Sequence, residues 1–149
     1  MKLTKILVMA LMSVSLIACG ESDKSNDATV AAKEADPKSD KGVGTVQSVT
    51  IGEFDPKMAA AGEALFKGKC TACHKIEKRY IGPALGGITE RRSPEWIMNM
   101  ILDPERMVAE NETAKKLLME YSAPMANQSL KENEAREILE YFRKIDLKK

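Results

Sequence analysis

Cys70-Thr71-Ala72-Cys73-His74 is the stretch that most constrains what this chain can become. It holds the only histidine of the sequence and two of its three cysteines. Two thiols three positions apart can form thioether bonds to the two vinyl groups along one edge of a porphyrin, and the next residue then offers an imidazole to the iron. The pattern C-x-x-C-H therefore predicts one covalently attached haem c, bound through Cys70 and Cys73, with His74 as an axial ligand.

Three other uses of these residues fit the sequence less well. A tetrahedral zinc site needs four ligands, typically thiolates and imidazoles, and Cys19 is better assigned to the membrane anchor described below. A thioredoxin-like dithiol would follow a strand and open a helix, but no strand pattern surrounds Cys70. A structural disulfide would leave His74 without a role.

The amino-terminal residues predict export and a lipid anchor. Residues 1–5 are positively charged, and residues 6–18 form an apolar run that is too short to span a bilayer but suits a signal peptide. Leu16-Ile17-Ala18-Cys19 resembles the lipobox of bacterial lipoproteins, which implies cleavage after residue 18 and lipidation of Cys19. The alternative is an ordinary signal peptide with an incidental cysteine. Gly20 stands where Asp would retain a lipoprotein at the inner membrane, which favours the periplasmic side of the outer membrane.

Composition divides the rest of the chain into a tether and a domain. Residues 19–42 form an acidic, disordered tether, and residues 56–149 form the folded domain. Between them, residues 43–55 place three valines among polar residues, so this stretch either continues the tether or lies extended across the domain. Residues 20–55 hold 4 Lys against 8 Asp and Glu, whereas residues 56–149 hold 17 Lys and Arg against 14 Asp and Glu. Nothing approaches the basic stripe of a nucleic-acid-binding protein.

Helix signals run through the domain. Each predicted start carries a capping residue before a proline or an acid: Asp55-Pro56, Ser93-Pro94 and Ser129…Glu132. The first helix is expected to end near Lys67 and the second at Asp103-Pro104. A further helix is expected over residues 111–120, with Leu117 and Leu118 on its buried side. No strand ladder is needed, so the predicted fold class is all-α.

Two segments carry a resemblance to the class I, mono-haem cytochromes c. Gly62 and Phe66 lie four residues apart just before the haem motif, as does the pair that crosses the last helix in that family. Gly82-Pro83-Ala84-Leu85 is similar to the segment that follows the motif there. The resemblance runs from about residue 62 to 142 and implies a cytochrome c fold, a small helical domain wrapped around one haem. The face expected to pack on Gly62 and Phe66 consists of Leu130, Ala135, Ile138, Leu139, Phe142 and Ile145.

The resemblance also implies roles for three residues. The Pro83 carbonyl would accept a hydrogen bond from the His74 ring and orient it. Met125, in the loop of residues 122–127, would be the second axial ligand, and Trp96 would contact the haem or serve as plain core. The remaining methionines of the mature chain lie before the motif or in helical patterns typical of core filling: Met58, Met98, Met100, Met107 and Met119.

A six-coordinate iron has no open position, which predicts an electron carrier rather than an enzyme. The expected activity is outer-sphere, one-electron transfer between extracytoplasmic respiratory donors and a terminal acceptor, by a monomer whose partners are redox proteins. The cations around the motif either steer an acidic partner or form a solvated face: Lys67, Lys69, Lys75, Lys78 and Arg79. One alternative is a haem-based ligand sensor or peroxidase-like enzyme, should Met125 be an unstable ligand. Another is a dedicated electron-entry module of one reductase, because the tail resembles small cytochromes associated with copper reductases of denitrification.

Overall fold

The computed structural model describes residues 36–148, a range that contains six helices and no strand. The helices are α1 (Pro56–Lys69), α2 (Ile88–Arg91), α3 (Pro94–Leu102), α4 (Pro104–Glu110), α5 (Glu112–Tyr121) and α6 (Glu132–Asp146). The all-α prediction is confirmed for this range. None of the described helices combines the length and apolar character needed to cross a bilayer. The predicted signal peptide, Cys19 and most of the tether lie outside the described residues.

The crossing of α1 and α6 joins the two ends of the domain. A Cβ built on Gly62 would collide with the backbone of Glu137, so only glycine allows the two helices to approach this closely. Phe66 lies beside the crossing and meets Phe142 edge to face, with 5.8 Å between the ring centroids. Lys144 Nζ of α6 lies 2.8 Å from Glu63 Oε2 of α1. The predicted packing of Gly62 and Phe66 against the last helix is confirmed.

The observed helix starts show which capping signals in the sequence predicted a helix correctly. The Asp55 side chain accepts hydrogen bonds from two backbone N–H groups of α1, and Ser93 accepts one from Trp96 N, as predicted. Asp103 does more than end α3, because its side chain accepts from Arg106 N and caps α4, a helix that the sequence pattern did not reveal. α1 ends at Lys69, two residues beyond the expected end.

The predicted start of the last helix is wrong. Ser129 lies outside α6 with a φ of 51°, in the left-handed region, and the helix begins at Glu132. The carboxylate that closes the first turn belongs to Glu134, whose Oε2 accepts from Lys131 N at 2.7 Å. Only this half of a capping box is present, because the lysine side chain at the N-cap has no acceptor to offer to the first turn.

Residues 40–55 form a strap that lies across the helices. Val46 is buried, and the amide of Asn99 in α3 holds its backbone: Asn99 Oδ1 accepts from Val46 N at 3.0 Å and Asn99 Nδ2 donates to Val46 O at 2.9 Å. In the structure, this stretch is therefore attached to α3 through Val46. The packing begins earlier, inside the stretch assigned to the tether, because the Asp40 carboxylate accepts hydrogen bonds from Asn111 and Thr113.

A buried carboxylate fixes the other end of the strap. Glu140 of α6 is fully buried and accepts from Asp55 N at 3.0 Å, and it pairs with Arg136 at 2.6 Å and Arg143 at 2.7 Å. Burial alone would raise the pKa of Glu140, but these hydrogen bonds lower it on balance. Arg143 also donates to Gly52 O, so this buried ion pair ties the strap to α6.

Candidate functional site

A cavity of about 530 Å³ opens between the end of α1, the loop after it, α3 and α5. Apolar side chains form most of its wall. The cavity brings together all the predicted haem-site residues that the structure describes: Cys70, Cys73, His74, Pro83, Trp96 and Met125. The predicted lipidation site, Cys19, is not among the described residues.

The end of α1 presents the two thiols and the imidazole together. Cys70 N donates to Phe66 O at 2.9 Å, and a tight turn follows in which Cys73 N and His74 N both donate to Cys70 O. Cys70 and Cys73 are free cysteines, with Cys70 partly buried and Cys73 exposed. Burial raises the pKa of the Cys70 thiol. This turn places both sulfurs and the His74 ring on one wall of the cavity.

Pro83 and Gly82 fix the orientation of the His74 ring. His74 Nδ1 lies 3.1 Å from Pro83 O, so Nδ1 carries the proton and donates, which leaves Nε2 with a free lone pair. A Cβ on Gly82 would lie 2.5 Å from His74 Cε1, so the backbone packs directly against the ring. Burial lowers the pKa of His74, and the Pro83 carbonyl opposes that shift only in part. The imidazole is held neutral and oriented, as a metal ligand requires.

The loop of residues 74–92, here called the proximal loop, is cross-linked by its own backbone. Gly82 N donates to Cys73 O at 2.9 Å, and Leu85 N donates to Lys75 O at 3.0 Å. Asp146 at the end of α6 then accepts from Gly87 N and from the Thr89 hydroxyl, both at 2.6 Å. The loop that carries His74 is therefore fixed both to itself and to the last helix.

The loop of residues 122–131, here called the distal loop, is built differently. It begins with Ser122 in the left-handed region, at a φ of 51°. Within residues 123–130 there are two hydrogen bonds, both local: Gln128 Nε2 to Ala126 O, and Ser129 N to Asn127 Oδ1. None of these eight residues hydrogen-bonds to another element of the described chain. Met125 therefore reaches the cavity wall from a loop whose hydrogen bonds to the flanking helices lie at its two ends, at Ser122 and Lys131.

Other methionines help to test the choice of Met125. Met98 and Met107 are buried in the core, as expected of helical methionines. Met119 is not, since 71% of it is exposed, and the expectation of core filling is wrong there. Met100 lines the same cavity from α3, which makes it the rival thioether.

Trp96 belongs to both the core and the cavity wall. It is 4% exposed, and its Nε1–H donates to Asn111 Oδ1 at 3.2 Å, so the indole N–H already has a partner. Asn111 also caps α5 and donates to the Asp40 carboxylate. The strap is therefore linked to the cavity wall through one amide.

Two residues that line the cavity were not predicted from the sequence. Arg91 and Arg92 line the cavity, and guanidinium groups are the side chains best suited to pair with carboxylates such as haem propionates. Arg91 donates to Gly86 O and Ala84 O, and the Arg92 guanidinium lies 5.2 Å from the Trp96 ring centroid. The signal was present as a pair of arginines shortly after Gly82-Pro83-Ala84-Leu85.

The predicted cationic cluster is only partly free. Lys67 pairs with Glu63 at 2.7 Å, Lys75 Nζ donates to Thr71 O at 2.9 Å, and Arg79 reaches α5. Tyr80 and Ile81 are exposed beside these cations and near Cys73. The surface at this edge of the cavity therefore has exposed apolar side chains among cations.

The residues present fit a covalently bound haem. The cavity has apolar walls, two thiols, an oriented imidazole with a free Nε2, and a thioether. Over residues 36–148, no three side chains of His, Cys, Asp or Glu cluster into an alternative metal site.

Comparisons with known proteins agree with this chemistry. The family model described as "Cytochrome c" matches residues 59–146. The chain is 45% identical over 49 residues to a cytochrome c2 from Rhodopseudomonas palustris, a match that covers 33% of this chain and 34% of that protein. The chain thus spans about a third of the length of this curated relative.

Two solved structures are similar over a longer stretch. A cytochrome c from Rhodothermus marinus superposes with a TM-score of 0.70 at 43% identity, covering 71% of this chain and 92% of that one. An engineered form of that protein bound to a carbene intermediate gives a TM-score of 0.65 at 44% identity, covering 70% and 91%.

Proposed function

The chain belongs to the cytochrome c family, and we propose that it is a one-electron carrier held at a bacterial membrane. Membership implies one covalently bound haem c, which confirms the cofactor predicted from Cys70 and Cys73. When bound, the haem supplies a reversible one-electron couple at its iron. The observation that carries the proposal is the cavity itself, which collects an oriented imidazole, a thioether and two thiols in one apolar space.

In this proposal His74 and Met125 would both be ligands of the haem iron. The imidazole is pre-oriented by Pro83 and Gly82, and a thioether is a weak donor that raises the reduction potential. With both axial positions taken, no substrate can bind the iron. The apolar wall excludes water, which also tunes the potential.

Arg91 and Arg92 would neutralise the two propionates. Burial lowers the pKa of Arg92, and the charge of the Asp40 carboxylate opposes this shift only in part. A carboxylate beside it would restore the lost interaction. These arginines would then help to hold the haem in the cavity.

Electrons would leave at the edge near the exposed Cys73. Tyr80 and Ile81 offer a contact area there, and the neighbouring Lys69 and Lys78 give it a positive rim. We assign this surface to a redox protein with a complementary acidic face, because such charges raise encounter rates.

The proposed location is the periplasmic side of a bacterial membrane. Cleavage after residue 18 would free Cys19 for lipidation, and several acyl chains anchor a protein stably. The acidic residues that follow would link the lipid to the domain. Cys19→Ser should move the protein from the membrane fraction to the soluble fraction without changing its haem spectrum.

One purification tests the carrier proposal. Purified from an exporting host, the protein should gain the mass of one haem, show a low-spin ferric spectrum with a methionine-to-iron charge-transfer band, and not bind carbon monoxide when reduced. A colourless product, or a mass equal to the processed chain plus lipid alone, would contradict it.

A second candidate is ligand binding at the iron on the Met125 side, as in a sensor or peroxidase-like protein. The observation in its favour is that residues 123–130 lack hydrogen bonds to the rest of the described chain. Rapid binding of carbon monoxide by the reduced wild-type protein would favour this candidate over the carrier.

A further inference from the structure

The last turn of α5 accepts a hydrogen bond from Arg79, a residue of the proximal loop. Carbonyl groups at the end of a helix lack intrahelical donors. Leu118 O accepts from Ser122 N at 2.8 Å, and Glu120 O accepts from Arg79 Nη2 at 3.1 Å. Arg79 therefore caps α5 through a tertiary contact between residues 41 positions apart.

Arg79 makes two more contacts at the same place. Its Nη1 lies 3.6 Å from Glu120 Oε1, and its guanidinium carbon lies 4.2 Å from the Tyr121 ring centroid. A cation is favoured at a helix carboxyl end, and a guanidinium over an aromatic face adds attraction. The planar fork of arginine can donate and stack at once, which a lysine ammonium cannot do equally well.

The placement of this contact connects the two loops. Arg79 lies in the proximal loop, five residues after His74, while Tyr121 lies four residues before Met125. Both Arg79 and Tyr121 line the cavity. At its other end the distal loop is fixed where Lys131 N meets Glu134. Residues 123–130 have no hydrogen bond to another element, so apart from the packing of Leu130 against the core, the direction of the loop depends on these two ends.

We propose that Arg79 is a positioning residue that holds the end of α5 and Tyr121 so that the distal loop keeps Met125 on the iron. The inference rests on the proposed ligation by Met125. It predicts that loss of Arg79 weakens the iron–sulfur bond without touching either ligand.

The test uses the full-length holoprotein and imidazole as the competing ligand. Imidazole is titrated against the ferric charge-transfer band in wild type, Arg79→Gln and Arg79→Lys. Arg79→Gln should bind imidazole roughly tenfold more tightly, because it loses a charge-assisted hydrogen bond and a cation–π contact. Arg79→Lys should recover only part of this difference.

Two controls isolate the effect. Arg106→Gln breaks an exposed arginine–glutamate pair of similar exposure, 48% and 52% against 56% and 55% for Arg79 and Glu120, and should leave imidazole affinity within about twofold. Asp103→Ala removes the α4 cap at a residue that does not line the cavity, and it reports on general destabilisation. Equal imidazole affinity in Arg79→Gln and either control overturns the inference.

Two further outcomes separate this inference from the proposed function. A wild-type protein without the charge-transfer band overturns the assignment of Met125 and the inference with it. A band that is present in wild type and equally resistant to imidazole in Arg79→Gln overturns the inference alone. Should Arg79→Gln fail to fold, Tyr121→Leu removes the stacking partner while keeping an apolar side chain in the cavity wall, and it should raise imidazole affinity about threefold. An unchanged affinity in that variant also counts against the inference.

Discussion

The proximal and distal loops each present one proposed axial ligand, yet they are built in opposite ways. The proximal loop has backbone hydrogen bonds across it, a carbonyl on the His74 ring, and Asp146 fixing it to α6. The distal loop, over residues 123–130, has two local hydrogen bonds. One ligand is therefore preorganised by the loop itself, whereas the other depends on what holds the ends of its loop.

The chemistry of the two ligands explains why this asymmetry is tolerable. An imidazole is a planar ring that must be turned correctly, and its protonated nitrogen needs a fixed acceptor. A methionine side chain has three rotatable bonds and can adjust its sulfur to a small shift of the backbone. The difference teaches that rigidity is concentrated where the ligand geometry is least forgiving.

Gly82→Ala should have the largest effect on the contrast between the two loops, because it disturbs the rigid one. A Cβ at this position would lie 2.5 Å from His74 Cε1, so either the ring or the backbone must move. We expect a large fall in haem incorporation and a loss of about 1–3 kcal/mol in unfolding free energy. Holoprotein yield and thermal unfolding measure both.

Gly68→Ala is the matched control, since a Cβ there meets nothing within 4 Å. Gly68 lies within α1, so alanine should stabilise the protein by about 0.5–1 kcal/mol. Normal haem incorporation in Gly82→Ala would show that the proximal loop is less rigid than its contacts indicate.

Met125→Ala addresses the distal side. The charge-transfer band should disappear, the reduced protein should bind carbon monoxide, and the potential should fall, because the weak sulfur donor is replaced. The unfolding free energy should fall by less than about 2 kcal/mol, since few contacts anchor this loop. Met100→Leu keeps the volume of the rival methionine and should retain the band; the reverse pattern would assign the ligand to Met100.

Asp146→Ala should increase the mobility of the proximal loop and leave the distal loop as it is, so it tests the two loops separately. The carboxylate accepts from Gly87 N, Thr89 N and the Thr89 hydroxyl, and its loss should cost about 1–3 kcal/mol. Hydrogen exchange should rise at residues 87–89 and stay unchanged at 123–130. Glu132→Ala, an exposed acid in the first turn of the same helix, should cost under about 1 kcal/mol.

The smallest expected effect is a change in how the unfolding free energy depends on pH. Hydrogen bonds from Lys144 and Lys67 lower the pKa of Glu63 from 4.5 to about 2. A lowered pKa contributes stability above the unfolded value that is lost as the pH falls through the folded one, here between 4.5 and about 2. Urea unfolding of Glu63→Gln should show a slightly weaker pH dependence in that window. Residues 123–130 hold no titratable side chain, so acid in this window should weaken the α1–α6 crossing rather than the distal loop, and a distal loop that changes at a higher pH than the crossing would contradict this expectation.

Local signals made much of the fold predictable. The haem motif, the Gly62 and Phe66 pair and the caps at Asp55 and Ser93 each express their chemistry within a few residues, and the structure contains all of them. Asp103 was only half understood, because the same Asp-Pro pair that ends one helix also begins the next. Ser129 and Glu132 matched the capping pattern, but the helix begins later, where the Glu134 carboxylate accepts from Lys131 N.

Long-range contacts could not be foreseen in the same way. α2 has four residues and depends on Asp146 for its first turn. Asn99 is a polar residue in a mostly apolar helix, and no pattern near it in the sequence indicates that it bonds to Val46. Arg79 belonged to a group of similar cations, and only the structure distinguishes the one that reaches α5.

The strap also bears on the order in which the molecule assembles. It joins residues 53 positions apart at Asn99 and 85 positions apart at Glu140, and contacts of such separation form late because a large loop must close first. The amino-terminal segment is synthesised first and must wait for α3 and α6 before it can seat. During that interval, the cysteines at the end of α1 belong to a chain that is not yet closed, which is the state in which a bulky porphyrin can be attached most easily.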